Sequence, residues 1–226
     1  MISIGDASLL RLFQLTSPAL PLGAFAYSQG IEYAAHAGWI TDEASAVDWT
    51  CGLLEGPICR TDLPLLSRLH AAWIARDETL VRRLSTLLLA FRESAELEQE
   101  DVHLGRALAR VLVGHGLTEA SPFTRAGDAT FAALYALAAA RWSIPPRSAL
   151  FGYAFAWSES QTGALSRVLP LGQLAIQRIL SRLIEAMPAA VDVALSLRDD
   201  EIGALAPSHA MASALHESQY CRLFRS

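Results

Sequence analysis

The chain contains no lysine: all 18 of its basic residues are arginine. That absence excludes a phosphate-binding P-loop lysine, a Schiff-base lysine and the strand lysine of protein kinases. Cysteine is scarce, and Cys51, Cys59 and Cys221 are an odd number without a C-x-x-C pair. Reduced thiols fit that pattern better than a disulfide framework. Long apolar runs are missing too. A mean hydropathy of +0.29 and 52% hydrophobic residues raise a membrane reading, yet the longest purely apolar run, residues 131–140, is far short of the roughly 20 residues a spanning helix needs. The opening MISIGDASLLRLF has an acid at Asp6 and no basic residue ahead of its apolar positions, so no secretory leader is expected and a cytoplasmic, water-soluble protein is. A net charge of −5 and a pI near 5.7 argue against a protein that binds nucleic acid by neutralising phosphates.

What is present is helical periodicity, interrupted by one unusual stretch. Residues 17–32, SPALPLGAFAYSQGIE, carry no charge until Glu32. Pro18 and Pro21 bias their predecessors away from helix, and Gly23 and Gly30 admit conformations or close approaches that a Cβ forbids. A stiff connector with Phe25 and Tyr27 as contacts follows, leading into a helix that carries Glu32. Around it, apolar spacing and start signals predict helices from Leu9, from Ile31 to Gly38, after an N-cap at Thr41, after Thr61-Asp62-Pro64, after Asp77-Glu78, and from Ser94 to about Val113. Further helices are expected over DATFAALYALAAARW, after Pro145-Pro146, and over QLAIQRILSRLIEAM, with a kink or restart at Pro188. No stretch alternates with period 2, and no repeat or linker is visible. The expectation is one all-α domain of about ten helices over residues 1–226.

Catalytic constellations are thin. Ala26-Tyr27-Ser28-Gln29-Gly30 is one residue from a nucleophile elbow, and Asp192 or Asp199 with His209 or His216 would complete the order. An elbow needs buried strands before its serine, and 27 residues containing two prolines cannot supply them; Ser28 reads instead as a helix cap. Glu96, Glu100 and His103 fall at i, i+4 and i+7, and Glu100-x-x-His103 is the spacing di-iron bundles use to place a carboxylate and an imidazole on one face. Those bundles need two such motifs and only one is present, within an acidic run over residues 93–101 that reads as a solvated face. Glu100 and His103 are thus the sole metal-ligand candidates, and a di-metal enzyme is the rival to a binding protein. Gly114-His115-Gly116 follows a helix and lacks a third glycine, so it is no phosphate loop. Gly52 and Gly56, spaced as on a helix, suggest close packing within the protomer or across a homodimer.

Several blocks in order resemble the UreF family of urease accessory proteins: SPALPLGAFAYSQGIEYAAHAGWI at 17–40, TDLPLLSRL at 61–69, FRESAELEQED at 91–101, RWSIPP at 141–146, SRVLPLGQLAIQ at 166–177 and HESQYCRLFRS at 216–226. The resemblance covers essentially the whole chain. It implies an all-α, non-catalytic homodimer with no cofactor of its own, which joins the nickel-carrying GTPase UreG to UreD (also called UreH) on apo-urease, nickel being handled by the complex. It also implies a UreG-facing set at Glu32 and Arg167, with Ser28 and Gln29 beside them. Arg167 stands where the family often has lysine, and Cys221 where serine is usual. Residues 208–226 are expected to be a partner-binding tail, with Tyr220, Arg222, Leu223, Phe224 and Arg225 facing UreD. Two readings of that tail compete: folded back on its own helices, or mobile alone and ordered by the partner.

Overall fold

The computed structural model describes residues 4–226; the first three residues of the opening, on which the leader expectation partly rests, lie outside it. Among the described residues there are ten α-helices and no strand: α1 (Asp6–Thr16), α2 (Ile31–His36), α3 (Glu43–Leu53), α4 (Leu63–Ala75), α5 (Glu78–Ala90), α6 (Ala95–Gly114), α7 (Phe131–Arg141), α8 (Pro146–Val168), α9 (Gln173–Ser196) and α10 (Pro207–His216). None of them is long and apolar enough to cross a membrane.

The longest apolar run forms the hub. A helix that is apolar on every side must be surrounded, and residues 132–139 of α7 are all fully buried, packed by α4, α6 and α8. Trp73 of α4 donates its indole N–H to the Ala133 carbonyl at 2.8 Å. On the other side α6 comes so close that a Cβ at Gly105 would lie 1.8 Å from the Ala129 carbonyl oxygen. Thr130 caps α7 there, accepting from the Ala133 amide, and its hydroxyl also meets Ser85 of α5 at 2.7 Å. Three helices are thereby fixed around one buried element.

Most start signals act as their chemistry suggests. Asp77 caps α5, Ser94 caps α6, and Pro146 occupies the first turn of α8. Other expectations are revised. Asp42, not Thr41, caps α3, in a reciprocal capping box with Ser45. Thr61-Asp62-Pro64 does stand at the start of α4, with Asp62 at the N-cap position and Pro64 in the first turn, but Asp62 makes no cap hydrogen bond: the chain runs from α3 into α4 through a π-helical segment, Leu54–Asp62, and the Asp62 carboxylate is spent elsewhere. Within that segment Gly56 leaves helical geometry at φ −92° and ψ −108°. Gly52 and Gly56 therefore share no regular helix face, and no atom lies within 4 Å of a Cβ built on either. Pro188 does not restart its helix: α9 continues through it, held by Ile179, Leu183, Met187, Val191 and Ala194 in the core.

Candidate functional site

The stretch before α2 is held in a conformation side chains rarely adopt. Gly23 and Gly30 both have φ of 79°, and Gln29 between them has φ of 52°. Gly30 is also a close approach, since a Cβ there would meet the Ser213 amide nitrogen at 3.0 Å and Ala212 at 3.1 Å on α10. A left-handed non-glycine residue persists only where its surroundings over-determine it. Gln29 has such surroundings: its amide donates to Glu100 at 2.8 Å and its carbonyl oxygen accepts from Trp157 and Gln161 of α8, each at 3.0 Å. One side chain ties the loop to α6 and α8.

This loop and the first turn of α2 form a cradle that holds residues 222–226. Glu32 is 8% exposed and accepts from the backbone amides of Leu223 at 2.6 Å and Phe224 at 2.8 Å. Its Oε2 also lies 3.1 Å from His216 Nε2, and the other ring nitrogen of His216 lies 2.8 Å from Glu96. Glu96 takes Arg222 at 2.9 Å, and Glu100 takes the Ser226 hydroxyl at 2.9 Å. The Ser226 carbonyl accepts from both the amide and the hydroxyl of Ser28, while the Arg225 amide donates to the Ala26 carbonyl at 2.7 Å. Phe224 is buried. Arg167, exposed at the end of α8, donates to the Phe25 carbonyl at 2.7 Å, and its guanidinium lies 5.9 Å from the Phe25 ring and 5.4 Å from the Phe224 ring.

These contacts revise several expectations. Glu32 and Arg167 do not share an exposed face, because Glu32 lies beneath the tail while Arg167 lies outside it. Ser28 lies two residues ahead of the N-cap position, which is Gly30, yet its hydroxyl accepts from the Glu32 amide in the first turn of α2 at 3.4 Å while it also anchors Ser226. Of the two readings of the tail, the structure has it folded back on its own helices. The side chains split: Phe224 points in, whereas Tyr220 and Leu223 are open to solvent.

The acidic run of 93–101 is not a solvated face. Glu96, Glu100 and Asp101 are all buried, the first two beneath the tail. Asp101 accepts from Arg92 at 2.9 Å and from the Phe131 amide at 2.7 Å. Arg92 also forks onto Asp62 at 2.7 and 3.1 Å, and Tyr153 donates to Asp62 at 3.1 Å. The two carboxylates hold the Arg92 guanidinium charged, and burial beside them pushes the Tyr153 hydroxyl well above its ordinary range. Burial raises Glu100 to about 7, against the hydrogen bonds from Gln29 and Ser226 that lower it. The signal was in the spacing: Glu96 and Glu100 are one turn apart and flank Leu97, Leu104 and Leu108 on the inward side of α6.

Glu100 and His103 are not brought together as ligands. The former faces Gln29 and Ser226, the latter meets the Tyr27 hydroxyl at 3.0 Å. Among the described residues no three His, Cys, Asp or Glu side chains are arranged to hold a metal ion. A cleft of about 610 Å³ lies between the loop, α6 and α8, walled by Leu20, Leu22, Leu97 and Leu104 above the Asp62–Arg92–Asp101 network. His209 lines it, lowered to about 4 by burial and then by the Arg92 charge.

The scaffold around this cradle has relatives. A family model described as UreF matches residues 40–184, from the end of the opening stretch to the middle of α9. The chain belongs to the UreF family. It is 47% identical over 216 residues to a urease accessory protein UreF of Alkalilimnicola ehrlichii, covering 96% of this chain and 95% of the relative. Relatives of the same name in Marinobacter nauticus and Pseudomonas putida are 45% and 43% identical, covering 98% of this chain and 96% and 99% of theirs. The loop and tail fall outside the segment matched by the UreF model, although the pairwise matches to UreF relatives span nearly the full chain.

Proposed function

We propose that this chain is a non-catalytic adaptor of urease maturation, a cytoplasmic homodimer that joins UreG to UreD on apo-urease so that nickel, the cargo of the complex, reaches the enzyme. Its membership of a family whose relatives are named urease accessory proteins supports the setting. The observation that carries the adaptor reading is the cluster at the loop's rim. Phe25 is 71% exposed with Arg167 beside it, and Tyr220 and Leu223 stand in solvent, Leu223 on backbone that Glu32 holds in place. Exposed aromatics next to arginine on a rigid support are the composition of a binding hot spot, and pre-fixing the backbone lowers the ordering cost of association. In this reading Arg167 and Phe25 meet UreG, and Tyr220, Leu223 and Arg225 meet UreD. Glu32, Ser28 and Gln29 act on the UreG side by holding that rim in shape.

Co-expression with UreD, UreG and apo-urease followed by affinity purification tests the reading. The chain is expected to retain all three, and Arg167→Ala to lose most UreG capture while melting as the parent does. A chain that retains none of them overturns the proposal.

A further inference from the structure

His216 is fully buried between two carboxylates, with Nε2 at 3.1 Å from Glu32 and Nδ1 at 2.8 Å from Glu96. A neutral imidazole has one N–H and one lone pair. Whichever tautomer it adopts, one ring nitrogen would then face a carboxylate lone pair to lone pair, at a separation of 2.8 or 3.1 Å that leaves no room for a bridging water. The trio of Glu32, His216 and Glu96 must therefore hold one proton more than a neutral ring and two carboxylates supply. The carboxylates are poor places for it, because the oxygens of both are already accepting, Glu32 from two backbone amides and Glu96 from Arg222. The proton belongs on the ring.

We propose that His216 is a proton switch for the docked segment: as an imidazolium it locks residues 222–226 onto α2 and α6, and on losing its proton it releases them. Release follows because both of its partners are also the segment's anchors. Glu32 holds Leu223 and Phe224, and Glu96 holds Arg222. When the ring turns neutral, one of the two carboxylates loses its donor and remains buried with its charge less well met, which favours opening to water. The wider surroundings act in the same direction or are already neutralised. Glu100 on α6, under Ser226, is raised by burial, so the docked state favours its neutral form and loses that advantage as pH rises toward 7. Asp101, beside it, is paired with Arg92. On the loop side Tyr27, facing Arg225 and His103, is raised by burial and stays un-ionised across the range. His209 on α10, lowered to about 4, is already neutral. Docking should thus be firm in mild acid and weaken as pH rises, by at most tenfold per pH unit for one linked proton.

The isolated full chain, with no partner present, is the sample. Amide hydrogen exchange at Leu223 and Phe224, corrected for intrinsic rate, is measured from about pH 6 to about pH 8 together with nitrogen NMR of the His216 ring. The expected result is two protonated ring nitrogens while the amides are protected, and a fall in protection of about tenfold that tracks the ring's titration. Glu100→Gln should keep that fall, and a protein carrying both Glu100→Gln and His216→Gln should show none. A neutral ring in the docked state overturns the switch, as do protection that is constant across the range, loss of the fall in Glu100→Gln alone, or its persistence in the double variant.

Discussion

Glu100 is the residue at which burial and chemistry conflict most openly. It is 4% exposed and has no cation of its own, only the Gln29 amide and the Ser226 hydroxyl, and burial lifts it to about 7. A carboxyl whose folded value exceeds its unfolded one stabilises the fold below the unfolded value and loses that contribution as pH rises through the folded one. Between about pH 4.5 and 7 the parent should therefore lose roughly 2–3 kcal/mol relative to Glu100→Gln, which has no proton to lose. Urea unfolding of both proteins at about pH 5 and about pH 8 measures the difference, and a gap that does not widen with pH contradicts the assigned burial. Gly105 is the second residue with a sharp expectation. Backbone atoms, not a flexible side-chain tip, occupy the place of its Cβ, so Gly105→Ala must push α6 away from α7 and should cost about 3 kcal/mol or more. Gly52 is the control: helical, with nothing near its Cβ, it should gain up to about 1 kcal/mol as alanine. If Gly52→Ala instead weakens self-association, a second copy covers that face.

At the scale of elements, legibility followed how much a signal depended on neighbours in sequence alone. Caps at Asp77 and Ser94, the stop before Pro145 and the apolar run of α7 are local, and each could be read directly. The π-helical passage from Leu54 to Asp62 could not, because Asp62, which reads locally as the cap of α4, gives its carboxylate to partners 30 and 91 residues away, Arg92 and Tyr153. The same competition misled the reading of α6. A run dense in acids looks solvated until the residues that meet it are known, and those come from the far end of the chain: His216, Arg222 and Ser226. The Gly-Pro-aromatic opening was legible as something special, but its true use, a cradle for the chain's own last described residues, depends on contacts almost 200 positions apart. A buried charge network that joins elements is costly to break singly. Arg92→Met should leave Asp62 and Asp101 without their cation and destabilise by about 3–5 kcal/mol, whereas Arg147→Met, whose partner Asp192 is exposed, should change stability by under about 1 kcal/mol. Equal losses in thermal unfolding would mean that the buried pair is not what fixes α4, α6 and α8.

For the whole molecule the docked segment poses one question with two separable parts, what it does for the fold and what it offers a partner. Its inward side is structural: Phe224 is buried, and removing residues 219–226 would strip Glu32 of two amides and Glu96 of Arg222. Burial of a phenylalanine contributes about 2–3 kcal/mol, and in a chain of this length each kcal/mol is worth roughly 2–4 °C. The deletion should therefore lower the melting temperature by about 5–10 °C, so loss of UreD capture in that variant alone would say little about direct contact. The outward side separates the two. Tyr220 and Leu223 are 105% and 64% exposed, and neither side chain holds the segment down. The double variant Tyr220→Ala, Leu223→Ala should melt within about 2 °C of the parent, since substitutions at open surface positions change stability by under about 0.5 kcal/mol each. If these side chains are the anchors for UreD, the same variant should lose capture by tenfold or more, because a central aromatic anchor contributes upwards of about 2 kcal/mol to an interface. Normal capture of UreD by a stably folded double variant would remove Tyr220 and Leu223 from the interface and move the search to the rim formed by Phe25 and Arg167.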